Sequence, residues 1–216
     1  MYGSEIVRNI SRVICLAVAV AGVAILIGWR FDIDVLKRLL PGTVTVKPTT
    51  ATALVVSGIL GFFTHWKNSV RWRLMLVGCL SWSLILGMFC LAFAAMLDRP
   101  LDPILVGGDE GRVMSAQPGE PSIGTMVAFM CYGVFGITYA LGSQLSRWIP
   151  HAVGIIGTVA LCGYAVNMPI LYYYVDGKST AMAILTATLC AVLGLAGVIA
   201  HPTSQMPDYM KEISAR

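Results

Sequence analysis

Charged residues are scarce in this sequence: Asp, Glu, Lys and Arg make up 12% of its 216 residues, while 57% are hydrophobic. A soluble domain carries about twice that share of charge, so a water-facing globular surface is excluded, and a mean hydropathy of +0.77 places the chain in lipid. No acid or base lies well inside any long apolar run. That argues against an ion pump or proton-coupled carrier, whose pathway normally requires an intramembrane charge. The six cysteines, Cys15, Cys79, Cys90, Cys131, Cys162 and Cys190, all fall within apolar runs, and none forms a Cys-x-x-Cys pair. Without metal or redox spacing they read as small packing residues. Phosphate-cradling glycine motifs, Ser/His/Asp order and zinc-type helix motifs are lacking too, so the sequence does not read as an enzyme. No basic patch supports nucleic-acid binding. No cofactor is predicted, although so apolar a chain leaves room for haem, quinone or pigment.

What is present is a series of apolar runs. A bilayer is crossed by about 20 largely apolar residues, and the runs with their flanks predict six transmembrane helices near 10–28, 49–66, 72–97, 123–145, 149–174 and 180–200. The fold class expected is therefore all-α, a polytopic membrane protein. The first run is too long for a signal-peptide core, and Gly28-Trp29-Arg30-Phe31 makes no small-residue cleavage site, so it reads as a retained helix. Short links at 67–71 and 146–148 force antiparallel neighbours. The helices then pair as three tandem hairpins, about 7–66, 72–145 and 149–202, followed by a short cytoplasmic tail at 203–216. With a cytoplasmic N-terminus the inner segments hold Arg8, Arg12, Lys67, Arg71, Arg73, Arg147, Lys211 and Arg216 against Glu5, Asp208 and Glu212. This asymmetry predicts a membrane protein with both termini cytoplasmic. Trp29, Trp66, Trp72, Trp148 and Tyr172 to Tyr174 fall at span ends, where amphipathic rings favour the headgroup zone.

The second, fourth and sixth helices each follow a similar polar punctuation: Lys47-Pro48-Thr49-Thr50-Ala51, Glu120-Pro121-Ser122, and Gly177-Lys178-Ser179-Thr180-Ala181. Ser and Thr oxygens accept the orphan amides of a first helical turn, and Pro needs no donor there. Two outer loops also echo each other, Ile33-Asp34-Val35-Leu36 in one and Leu101-Asp102-Pro103-Ile104-Leu105 in the other, as tandem repeats do. With Gly28-Trp29, Phe31 to Leu36, Leu40-Pro41-Gly42 and the closing Ala200-His201-Pro202, this pattern resembles the membrane-embedded sensory regions that precede PAS, histidine-kinase and diguanylate-cyclase domains in bacteria. The likeness covers nearly the whole chain. It departs in the middle repeat, where the family's Gly-Arg-Met-Ser-Pro-Asn-Thr-Ala run is reduced to Gly111-Arg112-Val113-Met114-Ser115 before Gln117 to Ser122. It departs again after His201-Pro202, where the family continues into an output enzyme and this sequence stops at Arg216. The resemblance thus implies a sensory-type module whose output passes through a partner.

Several residues invite a site reading. His65, His151 and His201 fall at predicted cytoplasmic helix ends, as wetted interfacial groups or as metal or haem ligands; ligation needs imidazoles that face one another. Asn167 and Pro169 interrupt the fifth predicted span, either as a simple kink or as the lining of a small ligand pocket. Gly136 with Ala140, and Ala183, Ala187 and Ala191 with Gly194, recur at helical spacing and permit close helix packing, within the chain or against other integral membrane proteins or a second copy. Leu36, Leu39 and Leu40 beside Lys37 and Arg38 suit a short helix on the outer membrane face or a plain loop. The acidic segment 98–120 lacks calcium-loop spacing. The function expected is a non-catalytic accessory subunit in contact with lipids and a larger membrane complex. The alternative is a stand-alone sensor that binds a small hydrophobic ligand and signals to a separate kinase or cyclase.

Overall fold

The computed structural model describes residues 2–38, 40, 43–64, 71–96, 121–174 and 179–199. Among the described residues every regular element is helical: α1 (Tyr2–Arg30), α2 (Asp34–Lys37), α3 (Pro48–Thr64), α4 (Arg71–Met96), α5 (Ile123–Ala140), α6 (Ile149–Ala165) and α7 (Ile184–Ile199), with 3₁₀ turns at Gln144–Arg147 and Pro169–Leu171. Glu5–Arg30, Ile123–Ala140 and Gln144–Ala165 are long and apolar enough to cross a membrane, and Pro48–Thr64, Met75–Phe89 and Ile184–Ile199 are shorter apolar stretches. The described part of the chain is all-helical, with three segments long and apolar enough to cross a membrane. The readings placed on His65, His201, the acidic segment 98–120 and the tail 203–216 lie outside the described residues.

Helix ends follow local chemistry, and several differ from the sequence expectation. α5 begins as expected, because the Ser122 hydroxyl accepts the Thr125 amide at 3.1 Å. α1 begins at Tyr2 rather than near residue 10, taking Glu5 and Arg8 into its first turns as an i,i+3 pair 3.6 Å apart. α6 stops at Ala165 instead of running to 174. Its last carbonyls are closed by a Schellman turn: the Met168 amide bonds Gly163 O at 2.8 Å, the Asn167 amide reaches Tyr164 O at 3.4 Å, and Asn167 sits at φ +53°. α7 begins at Ile184, so Ser179-Thr180-Ala181 does not open the last helix. The backbone of Met182 is committed elsewhere, its amide to Tyr172 O at 2.8 Å and its carbonyl to the Tyr164 hydroxyl at 2.7 Å. A residue so engaged on both sides cannot also enter a helical ladder.

Antiparallel pairs form the body of the fold. α3 lies along α1, α5 along α4 and α7 along α6. Each pair also touches the next, α3 on α4 and α5 on α6, and α7 returns to α1, so the three hairpins close a ring. α3, α5 and α7 meet one another at its centre. Phe129, Tyr132 and Phe135 from α5 are fully buried there, with Leu54, Leu60 and Leu193. The flanking helices turn apolar side chains outward: Val13, Leu16, Val20, Val23 and Ile27 on α1, Leu76, Leu80 and Leu84 on α4, and Ile155 and Val159 on α6. Such stripes suit lipid.

In lipid, helices associate through close packing rather than through exclusion of water from apolar surface. This is visible where α1 meets α3 and where α6 meets α7. A Cβ on Gly58 would fall 2.6 Å from Cys15 O and Ala19 N, and one on Gly194 would strike the Gly154 backbone and lie 2.8 Å from Pro150 O. Gly22 meets Ala51 and Val55 as Gly157 meets Ala187 and Ala191. The first and third hairpins therefore bring their helices together at matching positions, 135 or 136 residues apart in sequence.

Candidate functional site

The chemistry-bearing side chains gather at the end of the bundle where α1 and α6 stop, called here the distal end. In the first connection Lys37 is buried although it carries a charge. Its ammonium bonds the Asp32 carboxylate, lies 3.3 Å from Asp34 Oδ1 and sits 5.3 Å from the centre of the Trp29 ring. Arg38 closes on the other Asp34 oxygen at 2.8 Å. Hydrogen bonds from Arg38 and then Lys37 hold the Asp34 carboxyl below the usual carboxylate range. Burial works against the Lys37 charge, but Asp32 and Asp34 outweigh it and raise its pKa. The Trp29 indole N–H donates to Val46 O at 2.7 Å, which pins the returning chain just before α3.

Asn167 and Pro169 occupy the corresponding connection of the third hairpin. Both are exposed; Asn167 forms the left-handed end of α6 and Pro169 opens the 3₁₀ turn whose carbonyl accepts from Tyr172 and Tyr173 at 2.9 and 2.7 Å. They form a helix terminus instead of a break inside a longer helix. An Asx residue tolerates the left-handed conformation and Pro disfavours helix at the residue before it, so Asn-Met-Pro carries a stop signal. Beside them the Tyr164 and Tyr172 rings stack at 3.8 Å.

His151 is exposed at the opposite end of α6. Its Nδ1 lies 3.0 Å from Arg147 O, so that nitrogen bears the proton, and its ring neighbours Trp148 at 6.0 Å. No group of three or more His, Cys, Asp or Glu side chains placed to hold a metal occurs among the described residues. The small residues have definite neighbours. Gly136 faces the Leu60 side chain of α3, and Gly78 of α4 lies against Gly136 and Ile137. Ala140 is buried at the end of α5. Ala187 and Ala191 lie along Gly157, Gly194 along Gly154, and Ala183 precedes α7, its carbonyl accepting the Ala187 amide at 2.9 Å.

Sequence reasoning missed Lys37, Trp29 and Tyr164 as structural centres. It placed Lys37 in a short outer-face helix or plain loop and Trp29 as an interfacial anchor. The available signal was the spacing of Asp32 and Asp34, five and three residues before Lys37, which brings two carboxylates to one ammonium across a tight turn. No family model, curated protein or solved structure matches this chain.

Proposed function

We propose that this chain is a six-span module of the bacterial inner membrane, with cytoplasmic termini, that works by contact as an accessory subunit of a larger membrane assembly and performs no chemistry of its own. The observation that carries the reading is the layout of the ring. Its centre is filled with aromatic and aliphatic side chains, while α1, α4 and α6 each offer a long apolar face to the outside. Such a body has surface to give to lipids and to neighbouring helices. The likeness to sensory regions of signalling proteins supports the same idea, since those regions act by passing a conformational state to an attached or adjacent partner.

Extraction in a mild detergent or a lipid-retaining polymer, followed by identification of what co-migrates, tests it. The expected outcome is a defined complex with other integral membrane proteins. A lone monomer under the gentlest extraction, or turnover by the purified chain, overturns it. The sensor reading is favoured by one specific feature: the buried hydroxyls of Ser57 and Ser81 have no hydrogen-bond partner among the described residues, and buried polar groups are costly unless satisfied. A small hydrophobic ligand with a polar head, found by native mass spectrometry of the extracted protein, would support that second reading.

A further inference from the structure

The two distal connections are built on one plan. After α1 the chain runs Asp32 at φ +55°, Ile33 N–H to Gly28 O at 2.8 Å, the short α2, then Val46 N–H back to Lys37 O at 2.8 Å. After α6 it runs Asn167 at φ +53°, Met168 N–H to Gly163 O at 2.8 Å, the short 3₁₀ turn, then Met182 N–H back to Tyr172 O at 2.8 Å. Trp29 and Tyr164 each donate to the carbonyl of the returning residue, both at 2.7 Å. Lys37 caps one ring and Tyr172 stacks on the other. A Cβ on Gly28 would meet Leu36 Cβ at 2.6 Å, and one on Gly163 would meet Leu171 Cβ at 2.7 Å.

Burial runs in step as well. Leu36 and Leu171 are half-buried and Lys37 and Tyr172 buried, while the five residues before each pair are all exposed and carry apolar side chains at every second position. These are Phe31, Ile33 and Val35 in one connection and Val166, Met168 and Ile170 in the other, with Val35 at 82% and Ile170 at 66% exposure. Phe31 continues the outward stripe of α1 beyond Ile27, and Val166 continues that of α6 beyond Val159. Amides along both connections find carbonyl acceptors within the chain: those of Phe31, Ile33, Leu36 and Arg38 in the first, and those of Val166, Met168, Leu171 and Tyr172 in the second. A segment facing water has no need to satisfy its amides internally or to present alternate apolar side chains; one facing lipid needs the former and gains from the latter.

We propose that the connections 31–38 and 166–172 are a matched pair of lipid-seated anchors, their six outward apolar side chains lying at the acyl-chain boundary of one phospholipid leaflet. The paired acids and bases around Asp34 sit at headgroup level, where the Arg30 guanidinium, 5.7 Å over the Phe31 ring, meets lipid phosphate. This rests on the membrane-spanning reading of α1 and α6. The occupant is lipid because each patch continues the outward apolar stripe of a helix long and apolar enough to cross a membrane.

The test is site-directed spin labelling in vesicles of phosphatidylethanolamine and phosphatidylglycerol. Cys15 and Cys190, both buried, are kept, the other four cysteines are replaced by Ala, and single labels are placed by Val35→Cys and Ile170→Cys. Both labels are expected to relax faster with oxygen than with a water-soluble nickel chelate. Faster relaxation with the nickel chelate, meaning water, or shielding from both reagents, meaning a protein cover, overturns the proposal. Control labels by Ile27→Cys and Ile155→Cys separate the two ideas. If these controls are lipid-exposed while positions 35 and 170 are not, the anchors fail alone; if the controls also face water, the spanning reading fails with them.

Discussion

A methyl group added at Gly194 would land on the Gly154 and Pro150 backbones, whereas one added at Gly87 would meet nothing within 4 Å. The same substitution should therefore have opposite signs at the two sites. Gly194→Ala is expected to destabilise by about 1–3 kcal/mol through overpacking, and Gly87→Ala to stabilise by up to about 1 kcal/mol through helix propensity; unfolding in bicelles by added denaturing detergent checks both. Asn167 gives a third contrast. Glycine adopts φ +53° without strain and valine does not, so Asn167→Gly should be neutral or better and Asn167→Val should lower the melting temperature. At this scale the sequence was half legible. Ala187, Ala191 and Gly194 stood out at helical spacing, but their partners Gly154 and Gly157 did not, because a stripe read along one helix does not say which helix faces it. Pro169 and Asn167 were visible as an interruption, yet the apolar residues beyond them extended the expected span past its true end.

The connections are the elements most open to pH. Asp34 has a lowered folded pKa, so its contribution is present above the unfolded carboxylate value of about 4 and is lost as pH falls through the lower folded value. Lys37 has a raised one, so its contribution holds below the unfolded lysine value of about 10 and is lost as pH rises through the higher folded value. Protection of the Arg38 and Val46 amides from hydrogen exchange should therefore plateau between about pH 5 and 9 and fall on either side. Asp34→Asn should flatten the acid limb, and the connection after α6, which has Asn167 and Pro169 in place of the two acids, should lack the acid limb altogether. The helices themselves were largely legible in the sequence, since long apolar runs need only composition to be seen. The start of α7 was not. Ser179-Thr180 has the chemistry of a helix cap, and the long-range bonds of Met182 to Tyr172 and Tyr164 keep the chain out of the helix for a few residues more.

For the molecule as a whole, closure of the ring depends on α1 meeting α7. The Ser11 hydroxyl donates to Ala196 O at 2.7 Å across that contact, between residues far apart in sequence. Paired cysteines introduced by Ser11→Cys and Ala196→Cys, in the background that lacks the four replaced cysteines, should cross-link within one chain under mild oxidation and run as monomers on a denaturing gel. Cross-linked dimers would mean that the contact is made between copies. Which apolar runs form helices was largely readable, but the ring they make was not, because nothing in a linear pattern says that α7 returns to α1.

That return contact bears on how the protein is made. α1 leaves the ribosome well before α7, so the neighbour that covers Ser11 does not exist while the helices between them are being inserted. During that interval the Ser11 hydroxyl faces acyl chains or the insertion machinery, and nascent chains arrested before residue 196 should stay in association with the translocon, accessible to protease, until the missing helix arrives.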